Sequence, residues 1–298
     1  MSDFVRSHSS VCNFSGSDSW VILSEIEQSI KNKIEAIGTP LKDWDIQINY
    51  GIKTGFNDAF IISTEKRDEI LANCKTEEER QRTADLIRPI LRGRDIKRYG
   101  YDWANLWLIA TFPAKHYDIE KYPAVKQYLL SIGIEKLEQT GKTHIVHGET
   151  IKARKKTNNK WFETQDSISY WDDFFKPKIM YAEIVQEPRF YLDNEGYFFP
   201  EATTFILTGE HLKYLYNLFN SSVISYLFKT FYAGGGLGEN GYRYKKAFFE
   251  NLPIPKYKDT KLQKQIVLAD ECADIAKNVF ELFGFSNDEI SYIENREL

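Results

Sequence analysis

The order of strand-like and helix-like text limits this chain's fold more than any single motif does. "WDIQINYG" (44–51) and "AFIIS" (59–63) are joined by the turn text "IKTGFND", and "LWLIATF", "PKIMYAEI", "RFYLD", "GYFF" and "TTFIL" follow as further strands. "YLDNEGYFF" has the form of a hairpin around Asn194 to Gly196. These strands do not alternate regularly with helices, and no repeat of about 20 to 50 residues is visible. The expectation is therefore an α+β fold, a mixed and mostly antiparallel sheet with flanking helices and a C-terminal helical segment, not a doubly wound sheet.

Helical spacing fills in the remainder. Ile22, Ile26, Ile30, Ile34 and Ile37 predict a helix over 20–37, ended by Gly38 and Pro40. A charged helical stretch over 65–85 contains Thr76-x-x-Glu79, the spacing of a capping box in which hydroxyl and carboxylate satisfy free backbone amides reciprocally. Helical text returns at 210–232 and at 260–283, where Leu262, Ile266, Ala269, Ala273, Ala276 and Phe280 share one face. The expected divisions are a flexible tail over 1–19, a main domain over 20–256 and a helical segment over 257–298.

Composition narrows the function classes. With 298 residues, 42% hydrophobic and 28% charged, the chain is long enough for a real core in one large domain or two modest ones. Its 18 Tyr, 20 Phe and 6 Trp serve mostly as core, with some left for interfaces or base stacking. A formal net charge of -4 gives no general attraction to nucleic acid or to an anionic membrane, so such binding must rest on local patches. Cys12, Cys74 and Cys272 are scattered and form no CxxC, which argues against a disulfide framework or a cysteine zinc site and points to a reducing, cytoplasmic compartment. The first twenty residues lack an apolar core, and no apolar run of about 18 residues occurs, so neither signal peptide nor membrane span is expected.

Several catalytic readings fail on context. Gly236-x-Gly238-x-x-Gly241 has the spacing of a dinucleotide loop, but helical text precedes it and Pro253 and Pro255 follow soon after, where strand and helix are required. "NLPIP" (251–255) resembles the Asn-Pro-Pro-aromatic motif of amino-methyltransferases only loosely. His144-x-x-His147 lacks the four-residue spacing and intervening glutamate of a helical zinc protease and reads as a surface loop. No Glu-x-Lys occurs, and Asp95-x-Lys97 and Asp259-x-Lys261 have no evident acidic partner for metal-dependent nuclease chemistry.

Basic segments interleaved with aromatics remain. "RPILRGRDIKRYGY" (88–101) holds Arg88, Arg92, Arg94, Lys97 and Arg98 against Asp95, "KARKKTNNKW" holds Lys152, Arg154, Lys155, Lys156 and Lys160 with no acid, and "YRYKK" adds Arg243, Lys245 and Lys246. Taken singly, each run also reads as a solvated face with local ion pairing. Segregated charge of this kind can bind DNA through counterion release even when the total is negative.

The ordered blocks "GIKTGFNDAFII" (51–62), "LIRPILRGRDIKRY" (86–99), "WLIATFP" (107–113), "KPKIMYAEI" (176–184), "FPEATTFIL" (199–207), "LYNLFNSSVISYLF" (215–228) and "YRYKKAFFENLPIP" (242–255) resemble the TaqI-like C-terminal specificity domain. That family is the target recognition domain of adenine-N6 DNA methyltransferases and of type IIG restriction-modification enzymes. The resemblance implies a sequence-specific grip on double-stranded DNA by residues 20–256, opposite an N-terminal methyltransferase domain that flips and methylates adenine. No catalytic motif is expected in this chain; S-adenosylmethionine and Mg2+ are expected only for the missing domains, and the chain reads as an excised fragment or a separately encoded specificity subunit.

Within that resemblance, Gly51 and Gly55 permit a sharp turn with positive torsion, and Lys53, Thr54 and Asn57 are donors within reach of phosphate or a base edge. Thr54 and Asn57 equally suit satisfaction of their own turn. Arg92, Arg94, Lys97 and Arg98 are candidates for bidentate guanine contact and phosphate contact. Arg154, Lys155 and Lys156 add to the basic surface. The loop 234–241 is expected to meet duplex phosphates, anchored by Arg243, Lys245 and Lys246, with Tyr242 or Tyr244 available to stack. Two alternatives stay open: a fragment with a degenerate methyltransferase site, and a protein-interaction module docking a methyltransferase.

Overall fold

The computed structural model describes residues 23–234, 241–269 and 272–297. The tail expected over 1–19 lies outside the described residues. Two units divide the chain: a central one, Gln47–Ile184 with Arg189–Leu212, and a terminal one made from the described parts of 1–46, 185–188 and 213–298.

Two four-stranded sheets organise the central unit. One runs in the order Phe190–Asp193, Lys178–Ala182, Thr204–Gly209, Ile46–Tyr50, and the other in the order Phe199–Pro200, Ile87–Leu91, Leu106–Ile109, Ile61–Ser63. Lys178–Ala182 and Leu106–Ile109 are each antiparallel to both neighbours, whereas Phe199–Pro200 lies parallel to Ile87–Leu91. The fold is thus α+β with mostly antiparallel pairing, divided among several small sheets where the sequence suggests one. Ile87–Leu91 is a strand that the sequence reading does not place, inside text read as a basic run and as a block of the family resemblance. Its Ile87, Ile90 and Leu91 enter a core with Phe60, Leu108, Ile109, Phe112, Phe174 and Phe199, and each large apolar side chain so buried contributes about 1.5–3 kcal/mol.

The hairpin expected at Asn194 to Gly196 does not form. Gly196 turns with a φ of 64°, but the strands on its two sides join different sheets. Asp193 directs this parting, since its carboxylate accepts the amides of Tyr197 and Phe198 at 3.0 and 2.9 Å and the buried Lys178 ammonium at 2.7 Å. The capping box at Thr76 is half made. Thr76 Oγ1 accepts the Glu79 amide, but the Glu79 carboxylate turns inward to accept the amides of Lys75 and Ala124. The expected helix over 65–85 is accordingly two, Thr64–Ala72 and Glu77–Leu86.

The terminal unit is mainly helical. Its first helix, Glu25–Ile37, begins where Ser24 and Glu27 form a capping box and buries Ile30 and Ile34. The helical text of 210–232 divides into Leu212–Phe219 and Ser222–Leu227, because Ser221 caps the second by accepting the Val223 amide. The long helix expected over 260–283 is also divided, into Lys261–Leu268 and Cys272–Phe283. The buried Asn217 amide donates to the carbonyls of Ile266 and Ala269 at 2.6 and 3.1 Å. Those carbonyls therefore need no continuing helix, and Ala269 is extended. A last helix, Asn287–Glu297, follows. Among the described residues no helix is long and apolar enough to cross a membrane.

Candidate nucleic-acid interface

A cleft of about 480 Å3 in the central unit is lined by Asn57, Arg92, Gly93, Arg94, Ala182, Glu183, Ile184, Arg189, Glu201 and Thr203. One wall is the tight turn after Ile87–Leu91. Asp95 accepts both arms of the Arg92 guanidinium, at 2.8 and 2.7 Å, together with the Arg92 amide, and this hydrogen bonding raises the arginine's already high pKa. The adjoining wall is the turn after Phe199–Pro200. Glu201 accepts the amide and hydroxyl of Thr203 at 2.9 and 2.6 Å, and Thr203 Oγ1 accepts the Gly93 amide at 3.0 Å. Gly93 is required by this closeness, since a Cβ there would stand 2.7 Å from the Thr203 carbonyl oxygen.

The turn from Gly51 to Asn57 supplies a third edge. Gly55 has a φ of 78°, as expected, but Gly51 is not in the left-handed region. Gly51 is demanded by proximity, because a Cβ would lie 1.9 Å from the Glu201 carbonyl oxygen. Thr54 is buried and spends its hydroxyl inside the turn, donating to Asn57 Oδ1 at 2.6 Å and accepting the Phe56 amide. It is a turn former here, and burial removes it from direct contact with DNA. Asn57 lines the cleft and Lys53 is exposed.

The first basic run is more neutralised than its composition suggests. Arg88 lies over the rings of Phe175 and Phe199, Arg92 is held by Asp95, Lys97 reaches Asp102 at 3.5 Å and Arg98 lies over Tyr99. Arg94 is exposed and makes no ion pair among the described residues. Its guanidinium fork is therefore available to a ligand, beside the carboxylates of Glu183 and Glu201 as acceptors. Glu183, Arg189, Glu201 and Thr203 are not among the candidate contacts named from the sequence, although Glu183 falls in the block "KPKIMYAEI" and Glu201 and Thr203 in "FPEATTFIL".

Arg154 overturns its expected role most completely. It is 4% exposed, and its guanidinium makes five hydrogen bonds to the carbonyls of Leu137, Thr54, Glu163 and Trp161. An interior tie of this kind leaves no donor for phosphate, whereas Lys155 and Lys156 are exposed. In the terminal unit Tyr242 and Tyr244 are buried, Tyr244 stacks on Phe228 at 4.5 Å and the Tyr242 hydroxyl lies 3.2 Å from Ser225 Oγ. The expectation that either stacks on a base gives way to a packing role. Arg243, Lys245 and Lys246 are half-buried. Of the glycine loop, Gly234 and Gly241 have positive φ, and 235–240 lie outside the described residues.

Around that loop, helix Ser222–Leu227 comes before it in the chain and the short strand Tyr242–Arg243 after it, the reverse of the strand, turn and helix order of a dinucleotide fingerprint. His144 and His147 lie in a hairpin, and among the described residues no group of His, Cys, Asp or Glu has the arrangement of a metal site.

The chain is 23% identical over 289 residues to the type II methyltransferase M.PaeR7I of Pseudomonas aeruginosa, covering 93% of this chain and 45% of that protein. It thus spans under half the length of the curated relative it matches. Its fold is similar to that of the type IIG restriction endonuclease BpuSI, with a TM-score of 0.55 at 13% identity over 91% of this chain and 32% of that one. It is similar also to the type IIL restriction-modification enzyme MmeI, solved in complex with DNA, with a TM-score of 0.54 at 13% identity over 87% of this chain and 36% of that one. Residues 88–254, more than half of the sequence and both principal walls of the cleft, match one family model, and the chain belongs to the TaqI-like C-terminal specificity domain family.

Proposed function

We propose that this chain is the DNA-reading part of an adenine-N6 methyltransferase or type IIG-like restriction-modification enzyme. It grips a duplex in the cytoplasm while a methyltransferase domain, with its own S-adenosylmethionine, acts on an extruded adenine; Mg2+ serves whatever nuclease the parent protein carries. The observation that carries this reading is the arginine-lined cleft whose two walls, Arg92–Arg94 and Glu201–Thr203, both fall inside the family segment.

The chemistry divides by residue. Arg94 presents a free planar fork, which suits the O6 and N7 acceptors of guanine in the major groove, while Asp95 holds Arg92 in one pose beside it. Lys53, Lys155 and Lys156 are flexible point charges suited to phosphate, which sets register without reading sequence. Lys97 and Arg98 add less, being partly engaged already, and Arg243, Lys245 and Lys246 serve as further phosphate anchors. Holding the rest of the duplex offsets the few kcal/mol that extruding a base costs.

Fluorescence anisotropy on target and scrambled duplexes tests the division. Arg94→Ala is expected to cost about 1–3 kcal/mol on the target only and to relax one position, whereas Lys53→Ala weakens every sequence alike and lowers the salt slope by about 1. An Arg94→Ala protein with unchanged affinity and preference would remove the cleft from the mechanism.

A further inference from the structure

The second basic run, whose arginine turns inward, belongs to an element the sequence did not announce. Thr143–Val146 and Glu149–Lys152 form a two-stranded antiparallel ribbon, turned by His147 and Gly148 with φ of 51° and 85°. Positive torsions at both central residues are those of the tight hairpin turn that matches strand twist. A lone two-stranded ribbon is marginal in water, and this one is fastened at its root. Ala153 donates to the Lys142 carbonyl, Gly141 to that of Arg154 and Arg154 to that of Glu138, each at 2.9 Å. The buried Arg154 guanidinium then ties the same root to Leu137, Thr54, Glu163 and Trp161.

The ribbon's two faces differ. Thr143 opposes Lys152 and Ile145 opposes Thr150, so these four share a face, and all are exposed. Ile145 is 80% exposed, more than any other large apolar side chain among the described residues. His144, Val146 and Ile151, on the other face, are half-buried, and His144 lies 3.4 Å from Glu138. Glu149 opposes Val146 and so belongs to that second face. Lys142 directly precedes the bare face in the chain, and Lys155 and Lys156 follow the ribbon at its root, beside Gly141; all three are exposed. A bare apolar residue between two hydroxyls, edged by lysines without a facing acid, is complementary to a polyanion that displays methyl groups and hydrogen-bonding edges.

We infer that this ribbon enters the major groove of duplex DNA with its Thr143, Ile145, Thr150 and Lys152 face on the base edges, a placement that rests on the DNA-binding reading above. The groove, about 12 Å wide, admits a two-stranded ribbon. Ile145 meets a thymine methyl, the threonine hydroxyls donate to or accept from either base type, and Lys142, Lys155 and Lys156 lie on the bordering phosphates. Arg154 is the positioning residue that fixes the ribbon's root.

The test uses the full chain, a fluorescent mixed-sequence duplex and low salt. Ile145→Glu, at an exposed position that leaves the circular dichroism spectrum unchanged, is expected to bind roughly tenfold or more weakly, while Ile145→Val binds like the parent. Methyl green, which occupies the major groove, is expected to displace the parent protein, and netropsin, which occupies the minor groove, is not. Ile145→Glu binding as tightly as the parent, or displacement by netropsin alone, overturns the ribbon placement while leaving DNA binding intact. Loss by Ile145→Glu of association with the parent methyltransferase domain, with DNA affinity kept, overturns it in favour of a protein partner. Failure of the parent protein itself to retain any duplex overturns the underlying reading and this inference with it.

Discussion

Arg154 shows how a side chain's local text and its role can part. It stands in "KARKK", yet it is drawn inward because the bends at Thr54, Leu137, Trp161 and Glu163 leave carbonyls that no sheet or helix satisfies. Burial pushes its pKa down to about 10, so it stays protonated near neutrality. Arg154→Ala is expected to cost about 3 kcal/mol or more, since it strands several buried acceptors at once. Arg154→Lys is expected to cost nearly as much, because one ammonium cannot reproduce the planar fork. Urea unfolding measures both; a lysine variant as stable as the parent would contradict the tie. Which cations of a basic run face outward was not legible, since the answer depends on carbonyls up to 100 residues away. Thr54 was legible as a turn former as much as a contact, whereas the burial of Tyr242 depends on Phe228 and Ser225, outside its own segment.

Elements were legible where their signals are local. Ser24 with Glu27 marks the first helix, and the strand text at 178–182 and 204–209 falls on strands. Breaks imposed from afar were not: Ala269 leaves helix because of Asn217, and the Asn194 turn fails as a hairpin because of Lys178 and Asp193. The last helix offers a test at this scale. Its start has Ser286 Oγ accepting the Glu289 amide and the Glu289 carboxylate accepting the Ser286 amide, the Ser29 hydroxyl and the Lys33 ammonium. Burial pushes the Glu289 pKa up, but these bonds together outweigh it and hold the carboxyl below its usual 4.5. A carboxyl depressed by folding contributes stability that is full above its unfolded pKa and is lost as pH falls through its folded one. Glu289→Gln is therefore expected to be about 1–3 kcal/mol less stable at neutral pH, with the gap closing below about pH 4.5. Thermal unfolding across pH reads this directly, and a gap independent of pH would contradict it.

At the scale of the whole chain, 43 acids outnumber 39 cations, so any hold on DNA must be local. Pairing trims the cations further: Arg92, Lys97 and Arg154 are committed within the central unit, while Arg94, Lys53, Lys155 and Lys156 are among its exposed charges. A cleft with one free fork and acids beside it favours selective hydrogen bonding over strong general adhesion, so affinity should be modest, dependent on sequence and reduced by salt only in proportion to its few phosphate contacts. The order of sequence blocks made the family legible, while the cleft was not, because its walls at 92–94 and 201–203 are brought together by the parallel pairing of Ile87–Leu91 with Phe199–Pro200 and by the Gly93–Thr203 hydrogen bond, between segments about a hundred residues apart. The most direct measurement is selection by the full chain from a pool of randomised duplexes at low salt, followed by sequencing. A DNA-reading chain enriches one short motif, and Arg94→Ala blurs one position of it. A pool recovered without enrichment, or not retained at all, would contradict the assignment of this chain as the part that reads DNA.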